Sequence, residues 1–197
     1  MKQDIIKIFE DSAKLKQVFA KEYADTIIEV VELIAGTFTR GGKVLLFGNG
    51  GSASDASHIA GEFVNRFLLE RPGLPAIALN TDVAVMTSIA NDYDYSEIFA
   101  RQVKALGQEG DVAIGISTSG SSPNVVKAIA AAKDLGMKTV ALTGSKNKGG
   151  KLASISDFAF VVPSSETPRI QEVHITLGHA ICQLVDETLF GSSSKKG

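Results

Sequence analysis

The chain has 197 residues, of which 44% are hydrophobic, 21% are charged and 19 are glycine. That composition fits one soluble globular α/β domain and excludes disordered, collagen-like and low-complexity chains. Twenty basic against 22 acidic side chains leave a net charge of −2, so no broad electrostatic footprint draws the protein directly to nucleic acid or to a membrane surface, and an anionic ligand must be caught locally.

The only cysteine, Cys182, can form neither an internal disulfide nor a thiolate cluster, and no apolar run reaches the roughly 18 residues that span a bilayer. The start alternates charged and apolar residues without the apolar core of a signal peptide, and a cytoplasmic protein is expected. Over residues 1–40 apolar positions recur at helical spacing: Ile5, Ile8, Phe9, Ser12, Leu15 and Phe19 mark one stripe, and Ile27, Val30, Val31, Ile34 and Phe38 mark a second. This pattern predicts two helices. Gly41-Gly42-Lys43 stops it, and short unbroken apolar runs follow at 44–47, 76–79, 112–116, 139–142 and 158–162, the mark of strands buried on both faces. Amphipathic stretches at about 52–67, 83–106, 123–135 and 167–190 lie between and after them. The alternation predicts one domain over 1–190, a parallel sheet flanked by helices, with ligand sites at the carboxyl ends of the strands where strand order reverses. Residues 191–197 read as a frayed, flexible tail.

The first strand ends in Gly48-Asn49-Gly50-Gly51-Ser52-Ala53. Its glycines let a ligand approach the backbone, Asn49 and Ser52 offer hydrogen bonds, and the following helix N-terminus favours an anion. The spelling also satisfies Gly-x-Gly-x-x-Ala, the dinucleotide fingerprint, but the second strand is followed by Asn80 and Thr81 before any acidic residue that could hold a ribose. A sugar phosphate is the better fit. The third strand ends in Ser117-Thr118-Ser119-Gly120-Ser121-Ser122-Pro123-Asn124, where Ser122 and Pro123 spell a helix N-cap and first helical position. Hydroxyls beside that positive helix end make a neutral phosphate cradle; an ordinary capped serine turn is the bland alternative.

Ionisable groups are needed near those loops. His58 and Glu62, four residues apart on the helix leaving the glycine loop, share a face and can hold a metal or act as acid and base, although such a pair alone reads first as a surface ion pair. The last helix carries Arg169, Gln171, Glu172, His174 and His179. Gln171 and His179 stand about 12 Å apart along the axis and about 80° around it, so to share one ion either the site lies between subunits or the helix bends. Asn91-Asp92-Tyr93 is a polar break between two helical stretches, a substrate contact or a plain terminator. His174, on a different face from His179, reads as a packing histidine, and Cys182 as core.

These motifs together resemble the sugar isomerase (SIS) domain family, in particular its phosphoheptose isomerase branch. The carriers are 47–55, His58 with Glu62, Ala90-Asn91-Asp92, 117–122, and 169–174 with His179. The resemblance implies a flavodoxin-like five-stranded parallel sheet and a homotetramer with active sites at subunit interfaces, the N-terminal helical pair taking part in assembly. It implies one zinc per subunit, held by His58, Glu62, Gln171 and His179. It also implies phosphate binding by Ser117, Thr118, Ser119 and Ser122, and sugar contacts from Asn49, Gly50, Gly51, Glu62, Asn91, Asp92 and Gln171. The implied reaction converts D-sedoheptulose 7-phosphate to D-glycero-D-manno-heptose 7-phosphate through an enediolate, for nucleotide-activated heptose of bacterial surface polysaccharide. Glu62 is then the base at carbon and His179 its partner acid/base. Other members of the family are non-catalytic tetramers that bind the bacterial replication initiator, and 71–82 and 186–190 look like that branch. The retained Glu62, His179 and serine loop favour the enzyme.

Overall fold

The computed structural model describes residues 1–191, the side chains of Lys146 and Asn147 excepted; all but the first residue of the expected tail lies outside the described residues. Five parallel strands, β1 (Val44–Gly48), β2 (Ala76–Ala78), β3 (Val112–Ser117), β4 (Lys138–Gly144) and β5 (Phe158–Val162), form one sheet in the order β2-β1-β3-β4-β5. The order reverses between β1 and β3, which run in register from Val44 opposite Val112 to Gly48 opposite Ile116. The glycine and serine loops therefore leave the sheet side by side, at the crevice expected for a ligand.

Helices α1 (Lys2–Thr39), α2 (Gly51–Val64), α3 (Val83–Asp92), α4 (Ile98–Leu106), α5 (Pro123–Asp134), α6 (Gly150–Ile155) and α7 (Thr167–Phe190) cover both faces. Successive strand residues point to opposite sides, so Val44, Leu46, Ile114, Val140 and Phe160 pack under α1, α2 and α7, while Leu45, Phe47, Ala113 and Ala141 pack under α4, α5 and α6. Burial of each such large apolar side chain contributes about 1.5–3 kcal/mol, and this two-sided burial is what makes the strands read as unbroken apolar runs.

The two apolar stripes of residues 1–40 lie on one continuous helix, α1, rather than on a pair. No glycine or proline separates them, and the middle stretch has its own anchor. The backbone amide of Val161 donates to Tyr23 Oη (3.2 Å), which donates to the Val161 carbonyl (3.5 Å). Tyr23 thus caps the free edge of β5, where unpaired backbone groups invite association. The 83–106 stretch divides, as its polar break indicates, into α3 and α4 joined by a tight turn at Tyr95–Glu97. The short helix α6 has no counterpart in the sequence expectation.

Candidate active site

Three segments meet at the strand-order reversal. Asn49 Nδ2 donates to Asn124 Oδ1 and Asn124 Nδ2 donates back to Asn49 Oδ1, both at 2.9 Å, so a reciprocal amide pair ties the glycine loop to the first turn of α5. Tyr95 Oη donates to Asn49 Oδ1 at 3.1 Å and brings the 95–97 turn to the same point. That turn is braced by Lys127 Nζ, which donates to Ser96 Oγ and Glu97 Oε1, both at 2.6 Å. Asp94 accepts from the Ser96 amide at 2.8 Å, and the Ser96 hydroxyl and amide hold its carboxyl below the usual carboxylate range. Between these segments lies a cavity of about 290 Å³ lined by Asn49, Tyr95, Ser96, Ser122 and Asn124.

Ser122 is the N-cap residue of α5 and Pro123 its first helical residue. The Ser122 hydroxyl does not cap the helix; it turns into the loop and lies 2.8 Å from Ser117 Oγ, which is 3.4 Å from Ser119 Oγ. The Ser121 amide (3.3 Å) and hydroxyl (3.1 Å) both donate to Ser119 Oγ. Hydroxyls that bond one another can turn their protons to an incoming anion beside the positive end of α5, with no lysine or arginine in the loop. The dinucleotide reading fails here as well: the first acidic group after β2, Asp82, caps α3 by accepting from the Val85 amide at 3.0 Å.

A second cluster lies where α2 and α7 touch. Ile59 packs directly on Gly178, where a side chain would overlap it, and this close approach brings His58 and Glu62 of α2 against His179 of α7. His58 Nε2 lies 3.0 Å from Glu62 Oε1 and 3.4 Å from His179 Nε2. The three residues offer ligand atoms within 4.8 Å of one another. A tetrahedral cation with bonds of about 2.1 Å holds its ligands about 3.4 Å apart, so two imidazoles and a carboxylate at this spacing fit such an ion. The His58 and His179 rings meet edge to face, with centroids 4.9 Å apart, and Phe67 stacks on His179 at 5.5 Å. One turn before His58, burial pushes the Asp55 carboxyl up while His58 pulls it down, and its Oδ2 finds no hydrogen-bond partner among the described residues.

Gln171 stands apart from that cluster within the chain. Its amide lies over Gly51, seven residues or about 10 Å along α2 from His58. Because α7 is unbroken from Thr167 to Phe190, no bend brings Gln171 to the histidines. Asn91 and Asp92 end α3 exposed, bonded to each other at 2.9 Å. Tyr95, Asn124 and Phe67 carry little signal in the sequence: Tyr95 follows the polar break and Asn124 the N-cap, and nothing local marks Phe67.

His174 is fully buried and donates from Nε2 to the Thr143 carbonyl at 3.2 Å; burial lowers its pKa to about 4. Cys182 is core, its thiol pushed up to about 12 chiefly by burial. Since the unfolded chain protonates His174 near its ordinary 6.5 and the folded chain only near 4, the unfolded state binds more protons between those values and stability is lost as pH falls through that window. Wild type is expected to lose about 3 kcal/mol of unfolding free energy relative to a His174→Gln variant between pH 6.5 and 4, measured by urea titration. Parallel pH profiles for the two proteins would refute this.

The SIS domain family matches residues 8–144. The phosphoheptose isomerase of Thermodesulfovibrio yellowstonii is 64% identical over 186 residues, 94% of this chain and 92% of that protein. The chain belongs to the SIS domain family, in its phosphoheptose isomerase branch. The phosphoheptose isomerase of Aquifex aeolicus is 54% identical over 187 residues, 95% of this chain and 97% of its own. The structure of the phosphoheptose isomerase from Neisseria gonorrhoeae superposes with a TM-score of 0.87 at 41% identity, covering 94% of this chain and 98% of that one. The expected flavodoxin-like sheet agrees with this likeness, and the replication-initiator alternative finds no support in it.

Proposed function

We infer that the paired loops and the histidine–carboxylate cluster form a sugar-phosphate isomerase site. The chain is an aldose–ketose isomerase that converts D-sedoheptulose 7-phosphate into D-glycero-D-manno-heptose 7-phosphate, in heptose biosynthesis. One observation carries this reading: a neutral anion cradle lies on the loop after β3, and a His–Glu–His cluster lies between α7 and the helix that leaves the neighbouring loop after β1.

In this reading Ser117, Thr118, Ser119 and Ser122 hold the phosphate, and Asn49, Gly50, Gly51, Asn91, Asp92 and Gln171 face the sugar. Glu62 removes a proton from C1 of the ketose and returns it to C2 of the enediolate, while His179 carries the accompanying proton from the C1 oxygen to the C2 oxygen. His58, Glu62 and His179 would hold a zinc ion, with Gln171 of a second subunit as a further donor, and when bound it would supply a Lewis acid for the oxygens on which charge develops. The mixed nitrogen and oxygen donors and their spacing support zinc. With the ion bound, Glu62 and His179 would divide between ligation and proton transfer, a balance that would shift when substrate enters.

A homotetramer with shared sites agrees with the outward-facing Ile5, Ile6, Ile8 and Phe9 of α1, an apolar patch suited to burial against further copies. A cytoplasmic location and a role in supplying nucleotide-activated heptose for bacterial surface polysaccharide complete the reading. The free, buried Cys182 is consistent with a reducing compartment. Purified protein is expected to turn over sedoheptulose 7-phosphate, to lose activity on chelation and to regain it on zinc addition, followed by coupled detection of the aldose. Zinc-loaded protein that forms no aldose would overturn the assignment.

A further inference from the structure

Arg71 and Asp186 form an ion pair with side chains 0% and 1% exposed, Arg71 Nε donating to Asp186 Oδ1 at 2.8 Å. The rest of the guanidinium bonds the carboxyl end of α2 and the neighbouring Pro72. Nη2 donates to the Glu62 carbonyl at 2.9 Å, and Nη1 to those of Phe63 (2.7 Å), Asn65 (3.3 Å) and Pro72 (3.1 Å). The last carbonyls of a helix have no intrahelical partner and carry partial negative charge, so a buried arginine fits there. Asp186 lies seven residues after His179, two turns along the same face of α7. One guanidinium thus grips the backbone of Glu62 and the helix face that carries His179. Cys182 fills the space between, one turn from His179 and one from Asp186, and its thiol feels the negative charge of both Glu62 and Asp186.

We propose that Arg71 and Asp186 are positioning residues for the His58–Glu62–His179 cluster, setting the axial register of α2 against α7. The contact of Ile59 with Gly178 is apolar and holds the helices close, but it is non-directional and resists sliding weakly. Hydrogen bonds from a planar guanidinium have fixed directions and stop that slide. A metal cluster requires such control because its ligand distances tolerate only about 0.2 Å. A buried ion pair is weak evidence for stability in itself, since well-packed apolar residues often do as well, whereas fixing register is a task apolar residues do poorly.

This inference rests on the metal reading of the cluster, and the test separates the two. Zinc affinity is measured by chelator competition for the full chain as wild type, Asp186→Asn and Asp186→Glu. Asp186→Glu keeps the charge pair and moves the carboxylate by one methylene, so it remains informative if Asp186→Asn folds poorly. Thermal midpoints and steady-state kinetics are recorded in parallel. A stability control is Lys43→Met, which breaks the Lys43–Asp111 pair (2.6 Å) at the amino end of β1. Both Asp186 variants are expected to bind zinc about tenfold or more weakly and to lose kcat in proportion, while KM for the sugar phosphate stays within about threefold of wild type because the serine loop is untouched. Lys43→Met lowers the thermal midpoint and leaves zinc affinity unchanged. Folded Asp186 variants with wild-type zinc affinity would overturn the positioning role, and so would a Lys43→Met protein that loses affinity in step with its stability. A wild-type protein that binds no zinc overturns the metal reading and this inference with it.

Discussion

Replacing Glu62 by Gln is expected to lower kcat about a thousandfold at saturating zinc, with KM for sedoheptulose 7-phosphate within about threefold of wild type. The amide matches the carboxylate in size and can still lie against His58, now 3.0 Å from Glu62 Oε1, so packing on α2 is preserved. It cannot accept a proton from carbon, and the loss therefore falls on the chemical step. KM holds because the hydroxyls of Ser117, Ser119 and Ser122 lie on the loop after β3, apart from Glu62 on α2. Zinc content must be fixed during the measurement, because the same substitution removes the one anionic donor of the cluster. The exchange of substrate C1 hydrogen with deuterated solvent separates the two effects: exchange stops if Glu62 is the base and continues if it only anchors the ion. Full turnover by zinc-loaded Glu62→Gln would sink the base assignment.

What the sequence discloses here depends on how far apart the partners are along the chain. Strand positions are legible because burial on both faces leaves apolar residues throughout Val44-Leu45-Leu46-Phe47 and its counterparts, Thr139 excepted, and the loops follow because glycine and serine runs mark where the chain leaves the sheet. His58 and Glu62 are legible as an i,i+4 pair. That His179 joins them is not legible from spacing: its face of α7 sets it apart from the packing His174, but its partner His58 lies 121 residues away, and only the family resemblance supplies the pairing. The Asn49–Asn124 pair, the Tyr95 contact and the Arg71 clamp span 75, 46 and 115 residues, and each uses a residue type that is commonplace where it stands. The single helix α1 was hidden by a change of phase. From Phe19 to Ile27 the apolar stripe rotates about 80° around the axis as the helix crosses from the β5 edge onto the sheet face, and a phase change looks like a boundary.

The serine loop depends on one backbone position. Gly120 has φ +65°, and a methyl group there would overlap the Gly149 carbonyl. That carbonyl is pinned, accepting from Thr143 Oγ1 at 3.3 Å, and the Leu152 amide donates to the Gly120 carbonyl at 2.8 Å. Neither segment can move aside cheaply, so Gly120→Ala combines left-handed strain with a backbone collision and is expected to lower stability by about 3 kcal/mol. The loop relieves the collision by shifting, which takes Ser119 and Ser122 away from the phosphate; losing two hydrogen bonds to a charged group, about 1.5 kcal/mol each, raises KM about a hundredfold. Gly110→Ala is the matched control: φ is +87° but nothing lies within 4 Å of its added methyl, so it bears the backbone strain alone, about 1 kcal/mol, and leaves KM unchanged. Steady-state kinetics with urea unfolding of both variants checks the contrast. A Gly120→Ala protein with wild-type KM would mean that the serine loop tolerates displacement and that the phosphate is gripped elsewhere.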